Sequence, residues 1–475
     1  MAQLSPPIPL NRRSLLGLAA LVALAWLVAA APLRPLLLLL GGSSALLLLI
    51  RWPWLIWPAL AAGLPFTSAI KQGPVSLADL LLVGALVLWF ADGVRRRTLR
   101  LEPFGLLLPL ALYLSVLTLS ALQAADLAEA AVEVVKWVQL GFVLLLVRAM
   151  VPRTAVRWLV VALLVGGIGQ ALLGLYQFIY RVGPEWFVIL GRFMRASGSF
   201  GQPNPYAGYL GLTFPVALSL MLWAWHTLLW RGERRLDIFL WAGFTTLATG
   251  LMAAGLAASW SRGGWLGATA GVIVVCLIRS RTAAIAGGMA ALLVAVAVLL
   301  GALQPSLVPA AITSRLQAVP TFLGLTDVLS QPVTDENFSI VERVAHWVAA
   351  LRMWERAPWL GVGPGNYAVV YPEVRLLRWE EPLGHAHNIY LNVLGESGLL
   401  GLMAYLAFWL SAFVWLGRCL RGWQRSGATW SAALAVGVCG VLVHLAVHNF
   451  FDNLFVQGIH LQVALWLALI RREEG

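Results

Sequence analysis

The feature that most constrains this chain repeats along its length: runs of about 20 apolar residues, many of them closed by a short cluster of arginines. The segment "DLLLVGALVLWFADGVRRR", residues 79–97, is one example. Runs of this kind lie near residues 13–32, 35–50, 52–70, 76–93, 104–123, 131–150, 155–178, 205–228, 238–259, 264–278, 283–303, 389–417, 430–448 and 454–470. A lipid environment leaves an open backbone without partners, so each run is expected to be a helix. The chain therefore reads as an all-α polytopic membrane protein with 12–14 transmembrane helices, because the second, third and tenth runs are short or interrupted by proline. Composition agrees. Of 475 residues, 60% are hydrophobic and 11% charged, against about 25% charged in soluble domains.

The net charge of +12 raises the question of nucleic acid. Here the arginines fall in short loops between apolar runs, which is the positive-inside pattern and not a basic groove. With the N-terminus in the cytoplasm, the inner side receives 20 of the 33 basic residues, including Arg95, Arg96 and Arg97, Arg231, Arg234 and Arg235, and Arg418, Arg421 and Arg425. Both termini are then cytoplasmic. The three cysteines, Cys276, Cys419 and Cys439, suggest neither a disulfide framework nor a thiolate metal site. The start, "NRRSLLGLAALVALAWLVAAAPL", has a twin-arginine look, but a retained first span is the expected reading.

This orientation divides the chain into N-terminal spans (1–302), a large extracytoplasmic loop (303–388) and C-terminal spans (389–475). Within the loop, "VERVAHWVAALRMWERAPWL" has the spacing of an amphipathic helix, either lying at the outer interface or packed as a surface helix.

Four segments carry groups suited to chemistry, and all fall on the outer side. "RASGSFGQPNPYAGYL" presents Arg195 beside a turn, with Asn204 as expected cap and Pro205 as first residue of a helix, an arrangement that favours an anion. "AASWSRGGWLG" places Arg262 in a short junction between two spans, where an ionisable group is costly unless paired or serving a ligand. "APWLGVGPGNY" reads as a rigid Gly/Pro turn. "HAHNIYLNVLGESGLLG" places His385 and His387 where the long loop re-enters the membrane, followed by Asn388, Glu396, Gly398 and Gly401. A histidine in such a place is commonly a cap. A metal is disfavoured, since the two histidines show no third ligand nearby. Two guanidiniums can grip a diphosphate, and a histidine can accept a hydroxyl proton.

The pattern resembles the O-antigen ligase and polymerase superfamily of bacterial polytopic membrane glycosyltransferases. The carrying residues are His387-Asn388 followed after nine residues by Gly398-Leu399-Leu400-Gly401, together with "SWSRGG", "PWLGVGPGNY" and "GSFGQPNPYAGYL". The likeness runs from about residue 195 to 415. It implies a GT-C-like enzyme of the cytoplasmic membrane, active on its extracytoplasmic face. The residues add that no metal, cofactor or nucleic acid is expected, since no external Asp-x-Asp is present to hold a divalent ion and arginine would supply the charge stabilisation. Such an enzyme moves a glycan from a polyprenyl-diphosphate carrier to a lipid or glycan acceptor. By the same resemblance Arg195 and Arg262 hold the diphosphate and His387 activates the acceptor. Arg343, Arg352, Asn388 and His385 are further substrate-binding candidates. A polymerase and a protein O-oligosaccharyltransferase share these motifs. A transporter of lipid-linked sugars is a different class, for which Glu129, Glu133 and Lys136 form the relevant cluster, although their spacing also suits a self-neutralising helix face.

The arginine alternation is testable. Single cysteines at 97, 233 and 423 are expected to label only from the cytoplasm, and those near 190 and 330 only from outside. External labelling at 233 would invert the topology.

Overall fold

The computed structural model describes residues 33–69, 71–72, 75–102, 104–189, 191–279, 333, 337–426 and 429–471, with isolated positions at 282, 285 and 289. The expected spans at 13–32 and 283–303, and much of the long loop, lie outside the described residues.

The described chain is helical apart from two two-stranded hairpins: β1 (Lys71–Gln72) with β2 (Val75–Ser76), and β3 (Val188–Ile189) with β4 (Phe193–Met194). Of the described residues, Leu33–Leu55 belong to one compact unit, which contains α1 (Leu33–Arg51). The second unit, Ile56 onward, contains α2 (Ile56–Gly63), α3 (Leu77–Arg96), α4 (Leu107–Ala121), α5 (Leu127–Met150), α6 (Val156–Tyr180), α7 (Pro203–Gly211), α8 (Phe214–Leu229), α9 (Leu236–Ser259), α10 (Arg262–Arg279), α11 (Phe338–Arg356), α12 (Tyr367–Val374), α13 (Ile389–Ser426), α14 (Thr429–His448) and α15 (Ile459–Leu469). Among the described residues, eight helices are long and apolar enough to cross a membrane, and three apolar helices are shorter.

Two expected runs differ from continuous spans for the same reason. The 52–70 run folds as the eight-residue α2 between two 3-10 turns, because Pro53 and Pro65 cannot supply interior helix hydrogen bonds. The 205–228 run is jointed into α7 and α8, with Pro215 in the first turn of α8.

Close packing of α10 on α14 explains the glycines of "RGGWLGATAG". A Cβ on Gly263 would lie 3.0 Å from His448, one on Gly267 2.8 Å from His444, and one on Gly271 2.9 Å from the Gly440 carbonyl. Glycine every fourth residue thus removes one face of α10 and lets α14 approach, as small residues do between membrane helices. This contact brings the N-terminus of α10 beside His448.

The expected amphipathic helix is α11. It buries Ile340, Val341, Ala345, His346, Ala349, Ala350 and Met353 and packs on α12 and α13. Its apolar face therefore meets protein. Helix α13 is broken at Gly398, whose φ of 65° and ψ of −168° are not helical. The Gly/Pro turn fills the break: Val362 and Gly363 N–H donate to the Gly395 and Glu396 carbonyls (3.1 and 2.8 Å), and Leu399 and Leu400 N–H donate to those of Pro358 and Trp359 (2.8 and 3.2 Å). Two motifs far apart in sequence are the two sides of one backbone joint.

At that joint Gly361 has φ +69°, and a Cβ there would lie 2.2 Å from the Glu396 carbonyl carbon. Gly361→Ala is expected to lower the melting temperature in detergent, with backbone strain alone costing about 1–3 kcal/mol. Gly422→Ala, inside α13 with open space around it, is expected to hold or raise it. Equal melting temperatures would remove the joint from the account of stability.

Candidate functional site

Arg195 follows the β3–β4 hairpin. Its Nε and Nη2 donate to the carbonyls of Ser259 and Trp260 (3.2 and 3.4 Å), the electronegative C-terminal end of α9. Three residues after that helix ends, Arg262 is the first residue of α10. A cation at a helix N-terminus faces the positive end of the macrodipole, so this position is favourable only with negative charge close by. Arg343 arrives from α11. All three guanidinium-bearing residues line one cavity of about 120 Å³, together with Asn204, Ser261, Gly263, Ser339, His448 and Phe451.

Asn204 is placed differently from the expectation. Helix α7 begins at Pro203 with Gln202 at the cap position, since Pro203 rather than Pro205 takes the first turn. Asn204 Oδ1 instead accepts from the Ser261 hydroxyl at 2.9 Å, which ties α7 to the α9–α10 junction across the cavity wall.

The histidines sit beside this cavity. His387 Nδ1 lies 3.1 Å from Asp452 Oδ1. Burial would raise the Asp452 carboxyl, but the hydrogen bond from His387 and the charges of His387, His385 and Arg343 hold it well below the usual range. An ionised carboxylate only accepts, so His387 Nδ1 carries the proton and Nε2 is left to take one. His387 has a left-handed backbone (φ +49°), and its N–H donates to His385 Nδ1 at 3.1 Å. His346 packs edge-on to His387 and stacks on Tyr371, backing the ring. Burial lowers the Arg343 guanidinium, while Asp452 and Glu342 raise it. Arg343 is thus the electrostatic link between the cavity and the His–Asp pair.

The remaining candidates have other partners. Arg352 Nη1 donates to the carbonyls of Val374 and Arg375 (2.9 and 3.3 Å) and does not line the cavity. Asn388 Oδ1 accepts from the Tyr390 and Leu391 N–H groups (3.0 and 3.1 Å), so it caps α13. Glu396 accepts from Tyr367 N–H at 3.0 Å, serving the N-terminus of α12. Lys136 pairs with Glu133 within α5, as the self-neutralising reading expected.

Sequence reasoning missed Asp452, His444 and His448. The only signal was three ionisable groups at the end of an apolar run, "HLAVHNFFDN". Asp452 also supplies the third donor that the two histidines lacked. His385, His387 and Asp452 offer ligand atoms within 4.8 Å of one another. Two imidazoles and a carboxylate are a donor set that suits a first-row divalent ion.

Residues 247–406, about a third of the chain, match the family model described as O-antigen ligase. No curated protein matches the chain. The matched segment contains Arg262, Arg343, His385 and His387, while Arg195 and Asp452 lie outside it. The match supports the O-antigen ligase superfamily. With the eight apolar helices it supports a multi-pass membrane enzyme of ligase or polymerase type.

The site has a pH signature. Burial, with the charge of His387, lowers His385 to about 3 and His346 to about 4, against about 6.5 in an unfolded chain. Between those values the unfolded chain binds more protons, so stability falls as pH drops from about 6.5 toward 3. Asp452, depressed in the fold, adds a further loss only below about pH 4. Melting temperatures of His385→Asn against pH are expected to show a shallower acid decline than the parent protein. An unchanged slope would contradict the assignment.

Proposed function

We propose that this chain, taken as a member of the O-antigen ligase superfamily, transfers a glycan from a polyprenyl-diphosphate carrier to an acceptor hydroxyl, at the extracytoplasmic face of the cytoplasmic membrane. The observation that carries the reading is the junction of a three-arginine cavity with an Asp452-oriented His387. Arg195, Arg262 and Arg343 bind the diphosphate, whose oxygens accept planar, charge-assisted hydrogen bonds from guanidinium. Asp452 fixes the His387 tautomer. His387 Nε2 accepts the acceptor's proton as its oxygen attacks the anomeric carbon. The bond from that carbon to the phosphate oxygen breaks, and its electron pair leaves with the polyprenyl diphosphate, where the arginines stabilise the growing charge. His385 packs against His387 and supports it. A ligase acceptor would be a lipid-anchored glycan and a polymerase acceptor a growing chain.

Fixed guanidiniums make a metal unnecessary for diphosphate departure in this scheme. A second reading is favoured by one observation: His385, His387 and Asp452 converge as a metal would require, and an ion there would activate the acceptor oxygen as a Lewis acid.

Purified protein supplied with an undecaprenyl-diphosphate-linked oligosaccharide and a lipid A-core or glycan acceptor is expected to transfer. Arg195→Ala, Arg262→Ala and Arg343→Ala are each expected to lose about 10²–10³ in rate, the usual cost of one preorganised donor. His387→Ala is expected to be inactive yet folded, and His385→Ala less affected. Activity that collapses with EDTA and returns with magnesium or manganese would establish the metal reading. Absence of transfer by the parent protein would end both.

A further inference from the structure

The wall of the arginine cavity holds a neutral side chain whose direction its partners fix. Ser261 immediately precedes α10 and caps it. Its carbonyl accepts from Trp265 N–H at 2.9 Å, and its Oγ accepts from Gly264 N–H at 3.3 Å. Ser261 is buried, so its single hydroxyl proton needs an acceptor within the protein. That acceptor is Asn204 Oδ1, 2.9 Å away. A carboxamide has one accepting end and one donating end. With Oδ1 turned to Ser261, the two N–H groups of Nδ2 are turned away from it. The flipped amide would set Nδ2 against an oxygen that already accepts from Gly264, and the hydroxyl proton would lose its acceptor among the described residues.

Asn204 and Ser261 line the same cavity as Arg195, Arg262 and Arg343. Asn204 is half-buried. No described residue accepts from its Nδ2, and that atom is not closed off by its neighbours. Since Ser261 holds Oδ1, the polar end that Asn204 has left for the cavity is the donor. The cap of α10 therefore decides, through one hydroxyl, which end of the amide is available. Gly263 of the first turn of α10 lines the cavity as well, and the first N–H groups of a helix lack intrahelical partners. Each of these features offers donors to one place.

Resting on the transfer reading above, we propose that Asn204 Nδ2 donates a hydrogen bond to a phosphate oxygen of the bound diphosphate, with Ser261 as the positioning residue that turns the amide toward it. Asn204 thereby adds a donor of fixed direction without adding charge. Its removal leaves the arginines in place and deletes one hydrogen bond to an ionised oxygen.

The test reads binding without turnover. Inorganic pyrophosphate and farnesyl diphosphate are titrated by calorimetry into the purified full chain in detergent at neutral pH. The parent protein is expected to bind both. Asn204→Ala is expected to weaken binding roughly ten- to hundredfold, the range for a hydrogen bond to a charged group. Asn204→Asp separates binding from scaffold. It keeps the shape and an oxygen for the Ser261 hydroxyl, so its melting temperature is expected to match the parent even if Asn204→Ala folds poorly. Its other oxygen would meet the phosphate as a negatively charged acceptor, so binding at least as weak as that of Asn204→Ala is expected. Ser261→Ala is expected to weaken binding in the parent and to add no further loss in the Asn204→Ala background. Parental affinity in Asn204→Asp overturns the assignment of Asn204 and leaves the arginine reading standing. A further loss in the double variant overturns the positioning role of Ser261. A parent protein that binds neither probe overturns the arginine reading together with this one.

Discussion

A backbone N–H or C=O group within lipid has no water to bond, and the structure is arranged around that constraint at one point. Helix α13 stops being helical at Gly398, and the groups freed there are taken up by residues 358–363. Irregular backbone at membrane depth is tolerated when protein covers it. Here the covering segment is the loop that joins α11 to α12. The joint therefore fixes α11, which carries Arg343 and His346, over the start of α13, which carries the neighbouring His387.

The joint also assigns the polar groups around it. Glu396 reaches the N-terminus of α12, and Asn366 makes paired bonds to the backbone of Asp126 at 2.7 and 3.0 Å, anchoring the same loop to α5. These bonds leave Glu396 and Asn366 as scaffold. Other side chains are steered by different groups: the Arg195 guanidinium by the carbonyls at the end of α9, and the His387 imidazole by one buried carboxylate.

Charge distribution follows from this placement. Three arginines around about 120 Å³ repel one another, and the N-terminus of α10 adds to the positive field. Asp452 offsets part of it, and its low proton affinity reflects that setting. Three guanidinium-bearing residues lining one cavity are suited to a multivalent anion, and the matched family segment spans two of the three arginines and both loop histidines.

The sequence by itself determined the helical, membrane-embedded class, the arginine positions and the re-entry motif at His387, because apolar run length and loop charge are local properties. It also singled out Arg195, Arg262 and Arg343, which meet in one cavity. It misjudged what depends on contacts between distant segments. Pro203 displaced the expected cap. Of the two settings that its spacing left open, α11 takes the one packed on protein. Asn388 and Arg352 turned to backbone groups. Asp452 lies 65 residues from His387 in the chain and reads locally as the polar end of a span. The turn after α14, held to the start of α13 by the bond from Ile389 N–H to the Asn449 carbonyl (2.9 Å), brings that carboxylate under the imidazole. Which acid pairs with which base is a matter of ångströms between helices, and spacing along one helix does not encode it.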